Sequence, residues 1–236
     1  SVGGWVEVGR TTLGSNANNI DITSLSDKRY YMVLNSGLVN GTYVDSELQF
    51  NSDTGSNYAD RQSLNGAADG TRTSSTYGMF NLSSPTQNYS VNYISNLSAK
   101  EKLVVGHAVD QGTAGAANAP RRREWATKWT NTSSVINKID IIRGASTGQY
   151  TSGTEVVVLG WDPDDTHTTN FWQELADVSW SSGSNISTGT FTSKKYLWIQ
   201  IWYTTSFTGG SQYVRVGNST VDTGSNYAHR YSINGG

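Results

Sequence analysis

The sequence predicts an all-β fold, an antiparallel β-sandwich of jelly-roll-like kind that carries an internal duplication. Three observations lead there. Charged residues make up only 15% of the 236 positions and apolar ones 35%, with 25 glycines among them, a profile of short strands joined by polar turns. β-branched, aromatic and leucine-rich runs recur on the order of every ten residues, each bounded by Gly, Asn, Ser or Asp. A long block near the start is repeated near the end.

The runs that read as strands are Tyr30 to Leu34, Glu47 to Phe50, Val91 to Ile94, Lys102 to Val105, Ile136 to Ile142, Glu155 to Leu159 and Tyr196 to Tyr203. None carries a helical period. Spacing of this kind fits an antiparallel sandwich or a jelly roll.

The duplication has three parts. Asp53-Thr54-Gly55-Ser56-Asn57-Tyr58-Ala59 recurs as Asp222-Thr223-Gly224-Ser225-Asn226-Tyr227-Ala228, and the match continues through Arg61 and Arg230, Ser63 and Ser232, and Asn65-Gly66 and Asn234-Gly235. Upstream, Trp5-Val6-Glu7 answers Trp172-Gln173-Glu174, and Lys28 to Val33 answers Lys194 to Ile199. The expected organisation is a first β-sandwich unit over residues 1–165 and a partial second copy over 166–236. That partial copy would expose a sheet edge and an apolar face unless it packs on the first unit or on a neighbouring subunit.

The repeated block has a physical reading. Asp-Thr-Gly-Ser makes a tight turn in which glycine is free to take positive φ and the Asp side chain bonds backbone two residues on. A strand follows, with Ala59, Arg61 and Ser63 on one face and Tyr58, Asp60, Gln62 and Leu64 on the other, and a second turn at Asn65-Gly66 ends it. The second copy keeps Ala228 and Arg230 but has His229 and Tyr231 where the first has Asp60 and Gln62. Arg61 and Arg230 are expected to pair with a carboxylate, with Asp53 and Asp222 as candidates. The competing reading makes Asp53, Ser56 and Asn57 oxygen ligands for calcium or a sugar, although the block lacks the several carboxylates of an EF-hand loop.

Asp162, Asp164 and Asp165, with His167 close by, form a second candidate, either a site for a hard cation such as calcium or an acidic proline-containing linker with Asx turns. No other cofactor is expected. The run Arg121-Arg122-Arg123 reads as a solvated strand end or as a contact for phosphate or an acidic partner. Along Tyr196 to Tyr203, alternation sets Leu197, Ile199 and Ile201 against Trp198 and Trp202, so both faces are apolar and the aromatics are candidates for an interface or for stacking on sugar rings.

Catalytic signatures are missing from the sequence. His107, His167 and His229 lack metal-ligand spacing, and neither a nucleophile elbow nor a phosphate-binding loop occurs. Without cysteine there is no disulfide, thiolate nucleophile or Cys-based zinc site. A formal net charge of −2 supplies no field to attract nucleic acid, and no apolar run approaches the ~20 residues that a membrane-spanning helix needs. Seven Asn-x-Ser/Thr sequons begin at Asn40, Asn81, Asn88, Asn96, Asn131, Asn185 and Asn218.

The block Asp53 to Gly66, the segment Lys128-Trp129-Thr130-Asn131-Thr132-Ser133 and Val158-Leu159-Gly160-Trp161-Asp162 resemble repeats in structural proteins of environmental phages and viruses, virion components of the tail, fibre or capsid-surface kind. The resemblance implies a non-enzymatic role in the virion, through contacts with further copies of the chain and with other virion proteins, and carries no site residues. The alternative is a secreted or cell-surface adhesin or carbohydrate-binding module that meets a surface glycan.

Overall fold

In the computed structural model, which describes residues 4–81, 84–166, 168–179, 183, 185–202 and 213–231, every regular element is a β-strand. Twelve strands are present among these residues: β1 (Val6–Thr12), β2 (Asn19–Ile22), β3 (Tyr30–Gly37), β4 (Ser46–Phe50), β5 (Tyr58–Leu64), β6 (Gly70–Ser75), β7 (Gly78–Met79), β8 (Asn88–Ser95), β9 (Lys102–Asp110), β10 (Arg121–Trp129), β11 (Ile139–Arg143) and β12 (Glu155–Trp161). All pairings are antiparallel.

The strands form two sheets, one in the order β1-β12-β3-β8-β9-β10-β5-β6 and one in the order β2-β11-β4-β7. The quartets β1-β12-β3-β8 and β2-β11-β4-β7 are those of a jelly roll, with the chain crossing between sheets at each step from β1 to β4. Two insertions widen the first sheet. The hairpin β5–β6 leaves between β4 and β7, β9–β10 leaves between β8 and β11, and β10 pairs with β5 to join them.

The core lies between the sheets. Ile20, Ile22, Leu48, Phe50, Ile139 and Ile141 of the smaller sheet meet Tyr31, Val33, Ile94, Val104, Trp129, Val156 and Val158 of the larger. Alternation explains the choice of face: on β9, Lys102, Val104, Gly106, Ala108 and Asp110 turn inward while the residues between them are exposed. One cross-sheet row shows how size is matched. Asn92, Gly106 and Trp125 stand opposite one another on three adjacent strands, and the indole lies where a side chain at position 106 would be. Its Nε1 donates to Asn92 Oδ1 at 3.1 Å.

Six of the seven expected strand runs lie in or overlap observed strands. Ile136 precedes β11 in a loop, fully buried, with its N–H donated to Asn96 Oδ1 at 2.8 Å. The exception is Tyr196 to Tyr203. Its described part, residues 196–202, forms no strand, and Tyr203 lies outside the described residues. β-propensity alone does not make a strand, because the backbone N–H and C=O groups need a neighbouring chain to form a ladder.

The chain divides into two compact units, Ser1–Phe171 with Ala228–Gly236, and Trp172–Tyr227. All twelve strands belong to the first. Within the second, the rings of Trp172 and Trp198 meet edge to face with centroids 5.5 Å apart.

Candidate functional site

The repeated block builds the same bracket of hydrogen bonds twice. In the first copy Asp53 Oδ1 accepts the N–H of Gly55 at 2.8 Å, and Asn57 Nδ2 donates to Asp53 Oδ2 at 2.9 Å. In the second, Asp222 Oδ1 accepts Gly224 N–H at 2.8 Å and Asn226 Nδ2 donates to Asp222 Oδ2 at 2.9 Å. Tyr58 Oη accepts the N–H of Phe50, whose carbonyl accepts the N–H of Asp53; Tyr227 Oη accepts the N–H of Val216, whose carbonyl accepts the N–H of Asp222. Glycine is needed for room, since a Cβ on Gly55 would fall 2.7 Å from Asn57 Nδ2. Positive φ occurs instead at Asn51 and Ser52, and at the Asn65-Gly66 turn as expected.

Two sequence expectations about this block are corrected. Arg61 pairs with Asp69 at 3.1 Å, not with Asp53, and Arg230 donates to the Pro120 carbonyl, not to Asp222. Asp53 is committed elsewhere: Trp129 Nε1 donates to its Oδ2 at 2.6 Å. Burial raises the Asp53 pKa, but the bonds from Trp129, Gly55 and Asn57 outweigh it and hold the carboxyl below its ordinary value.

The acidic turn after β12 is a clasp for a cation of the chain itself. Lys28 Nζ sits 2.6 Å from Asp165 Oδ1 and 3.5 Å from Asp162 Oδ2, while Asp162 Oδ1 accepts the N–H of Arg29 at 2.7 Å. The bond to Asp165 raises the Lys28 pKa, against a smaller opposing effect of burial. Asp164 stays exposed at the turn, and His167 lies outside the described residues. No group of three or more His, Asp or Glu side chains with metal-binding geometry occurs among the described residues.

The arginine run is more than a solvated strand end. Arg121 pairs with buried Asp110, Arg122 with Glu124 at 2.7 Å, and Arg123 turns into a polar cleft of about 280 Å³. That cleft was not visible in sequence, because its lining comes from five strands and the loops beside them: Asp45, Glu47, Gln62, Arg72, Tyr77, Met79 and Arg123. Arg72 places its guanidinium 4.5 Å from the Tyr77 ring centroid and 2.7 Å from Asp60 Oδ2, with Glu47 Oε1 at 3.9 Å. Burial pushes the Glu47 carboxyl up to about 7, against the lowering effects of Tyr77 and Arg72. Asp60 Oδ1, Gln62 Oε1 and Arg123 Nε are buried without a hydrogen-bond partner.

A second surface spans β8 and β9 on the outside of the wide sheet. Leu103, Val105, Val109, Tyr89 and Tyr93 are 37 to 56% exposed. They share one face because Tyr93 stands opposite Val105 and Tyr89 opposite Val109. Beyond them on β10 come Arg122, Glu124 and Lys128, the last 3.0 Å from Glu101. An apolar stripe with a charged margin has the anatomy of a contact surface. No known family model, curated protein or solved structure matches this chain. Its surfaces are therefore read from their own chemistry.

Trp198 and Trp202 are 54 and 86% exposed. Among the sequons, Asn81, Asn88 and Asn96 are buried and hydrogen-bonded, which leaves no room for a glycan on the folded chain.

Proposed function

We propose that the protein is a non-enzymatic structural component of a virion, of the capsid, capsid-surface or tail and fibre kind, that assembles through the outer face of its jelly roll. The observation that supports this reading is the apolar stripe of Tyr89, Tyr93, Leu103, Val105 and Val109, set on one face of the wide sheet and bordered by paired charges. A sheet face of this composition gains more from burial against a second surface than from contact with water. The jelly roll is a fold that capsid proteins use. Self-association is the first test: light scattering across a concentration series should show an oligomer, and a monomer at the highest concentration overturns the reading.

Carbohydrate binding, as in a secreted or cell-surface adhesin, is the second reading. The polar cleft favours it, with the Tyr77 ring, the Arg72 guanidinium and the Glu47 carboxyl in one place. A glycan array with and without calcium separates the two readings. Binding that is lost in Arg72→Ala supports the second, and no binding in either condition removes it.

A further inference from the structure

In the observed jelly roll the first four strands never pair with one another. β1 pairs with β12, β3 with β12 and β8, β2 with β11, and β4 with β11 and β7. The roll is two interleaved half-sets, and each half supplies the ladder for the other. Among the eight strands of the roll, neither half has a hydrogen-bonded pair by itself.

The second block repeats only the first half-set. Tyr196 to Ile201 aligns with β3, placing Leu197 and Ile199 at the positions of Tyr31 and Val33. The bracket aligns Val216 with Phe50, the last residue of β4, and hence Val214 with Leu48. Tyr31, Val33, Leu48 and Phe50 are fully buried, whereas Leu197, Ile199, Val214 and Val216 are each about half exposed or more. Among the described residues of 172–227 there is no strand, although the turn bracket is formed bond for bond.

We propose that residues 172–227 are the first half of a second jelly roll, and that their apolar face receives a second half-set of strands of the kind formed by residues 70–161. The chemistry of the complement follows from the first roll: inward Ile and Val on strands equivalent to β8, β11 and β12, as at Ile94, Ile139, Ile141, Val156 and Val158. A second copy of this chain does not offer it, because strands β7, β8, β11 and β12 are already paired within their own roll. The first roll joins its halves through one chain. Tethering makes closure intramolecular and raises the effective concentration of the complement.

The test is a fusion in which the full chain is followed by a second copy of residues 68–161, made with and without a flexible Gly/Ser linker and compared with the unfused chain by hydrogen exchange and mass spectrometry. Peptides over 30–34 report that the first roll is intact. The expected result is fast exchange over 196–202 and 213–216 in the unfused chain, slowed about 100-fold or more in a fusion. Placing Val156→Asp and Val158→Asp in the appended segment alone should abolish that slowing while 30–34 stays protected. Three results overturn the proposal: full protection of 196–202 in the unfused monomer, protection there that grows with concentration of the unfused chain, or no slowing in either fusion when 30–34 is protected.

Discussion

Trp129 Nε1 donates to Asp53 Oδ2 across 2.6 Å, tying the first copy of the repeated turn to the aromatic cluster in which Trp129 stacks on Tyr58 and packs against Phe50. Asp222 holds the same turn, but its side-chain bonds are to Gly224 and Asn226. Asp53→Ala should therefore destabilise the first unit by about 1 to 3 kcal/mol, the cost of leaving an indole N–H and a turn unsatisfied. Asp222→Ala should leave its melting temperature unchanged. Urea denaturation followed by tryptophan fluorescence measures both. Because the Asp53 pKa is lowered in the folded state, its contribution is present above the unfolded-state pKa and fades as pH falls through the folded one. The Asp53→Asn deficit should shrink in acid.

Glu47 titrates in the opposite sense. Its folded pKa of about 7 lies above the ordinary 4.5, so the native state holds a proton that the unfolded state has released between those values. Its contribution to stability is present below about 4.5 and is lost as pH rises through about 7. Glu47→Gln should match the parent protein near pH 5 and exceed it by about 1 kcal/mol at pH 8, as read from paired chemical denaturation curves. Equal curves at both pH values would show that the cleft solvates Glu47 fully.

Gly106 is the floor under Trp125. Gly106→Ala places a methyl group inside the indole ring, so the ring must leave and the bond to Asn92 breaks. The expected loss is about 2 to 4 kcal/mol, with a red shift of tryptophan emission.

Leu103→Glu with Val105→Glu tests the outer face. Both side chains are exposed, so the monomer should keep its unfolding free energy within about 0.5 kcal/mol while association is lost in light scattering. An unchanged oligomer moves the contact surface elsewhere.

The clasp after β12 is read by a double-mutant cycle of Lys28→Met and Asp165→Ala. Part burial and the 2.6 Å contact predict a coupling of about 1 kcal/mol, above that of an exposed pair. A coupling near zero would make the clasp incidental.

Strands with dense apolar content were legible: β3 and β12 bury theirs on both faces, while β8 and β9 carry most of theirs, Tyr89, Tyr93, Leu103, Val105 and Val109, on the exposed face. β6, written Gly-Thr-Arg-Thr-Ser-Ser, and β10, which begins Arg-Arg-Arg-Glu, were not, because their ladders come from neighbours and Arg72, Arg121 and Arg122 pair with Asp60, Asp110 and Glu124. The opposite failure occurred at Tyr196 to Tyr203, where strong β-propensity had no partner strand. Of the candidate sites, the Asp53 turn was readable from local spacing. Glu47, Arg72, Tyr77 and Arg123 were not, since only the sandwich brings them together.

The side chain of Thr12 bonds that of Glu155 across 143 positions of sequence, and β1 can form no ladder until β12 exists. During synthesis β1 therefore waits, unpaired, for the last strand to leave the ribosome, and β2 waits for β11. Contacts so distant in sequence make folding slow, so the nascent chain has a prolonged interval in which its apolar strands are open to other chains. For the assembly role proposed above, the order of events matters: closure of the roll has to outrun assembly, and the rate at which β12 docks sets how fast competent subunits accumulate.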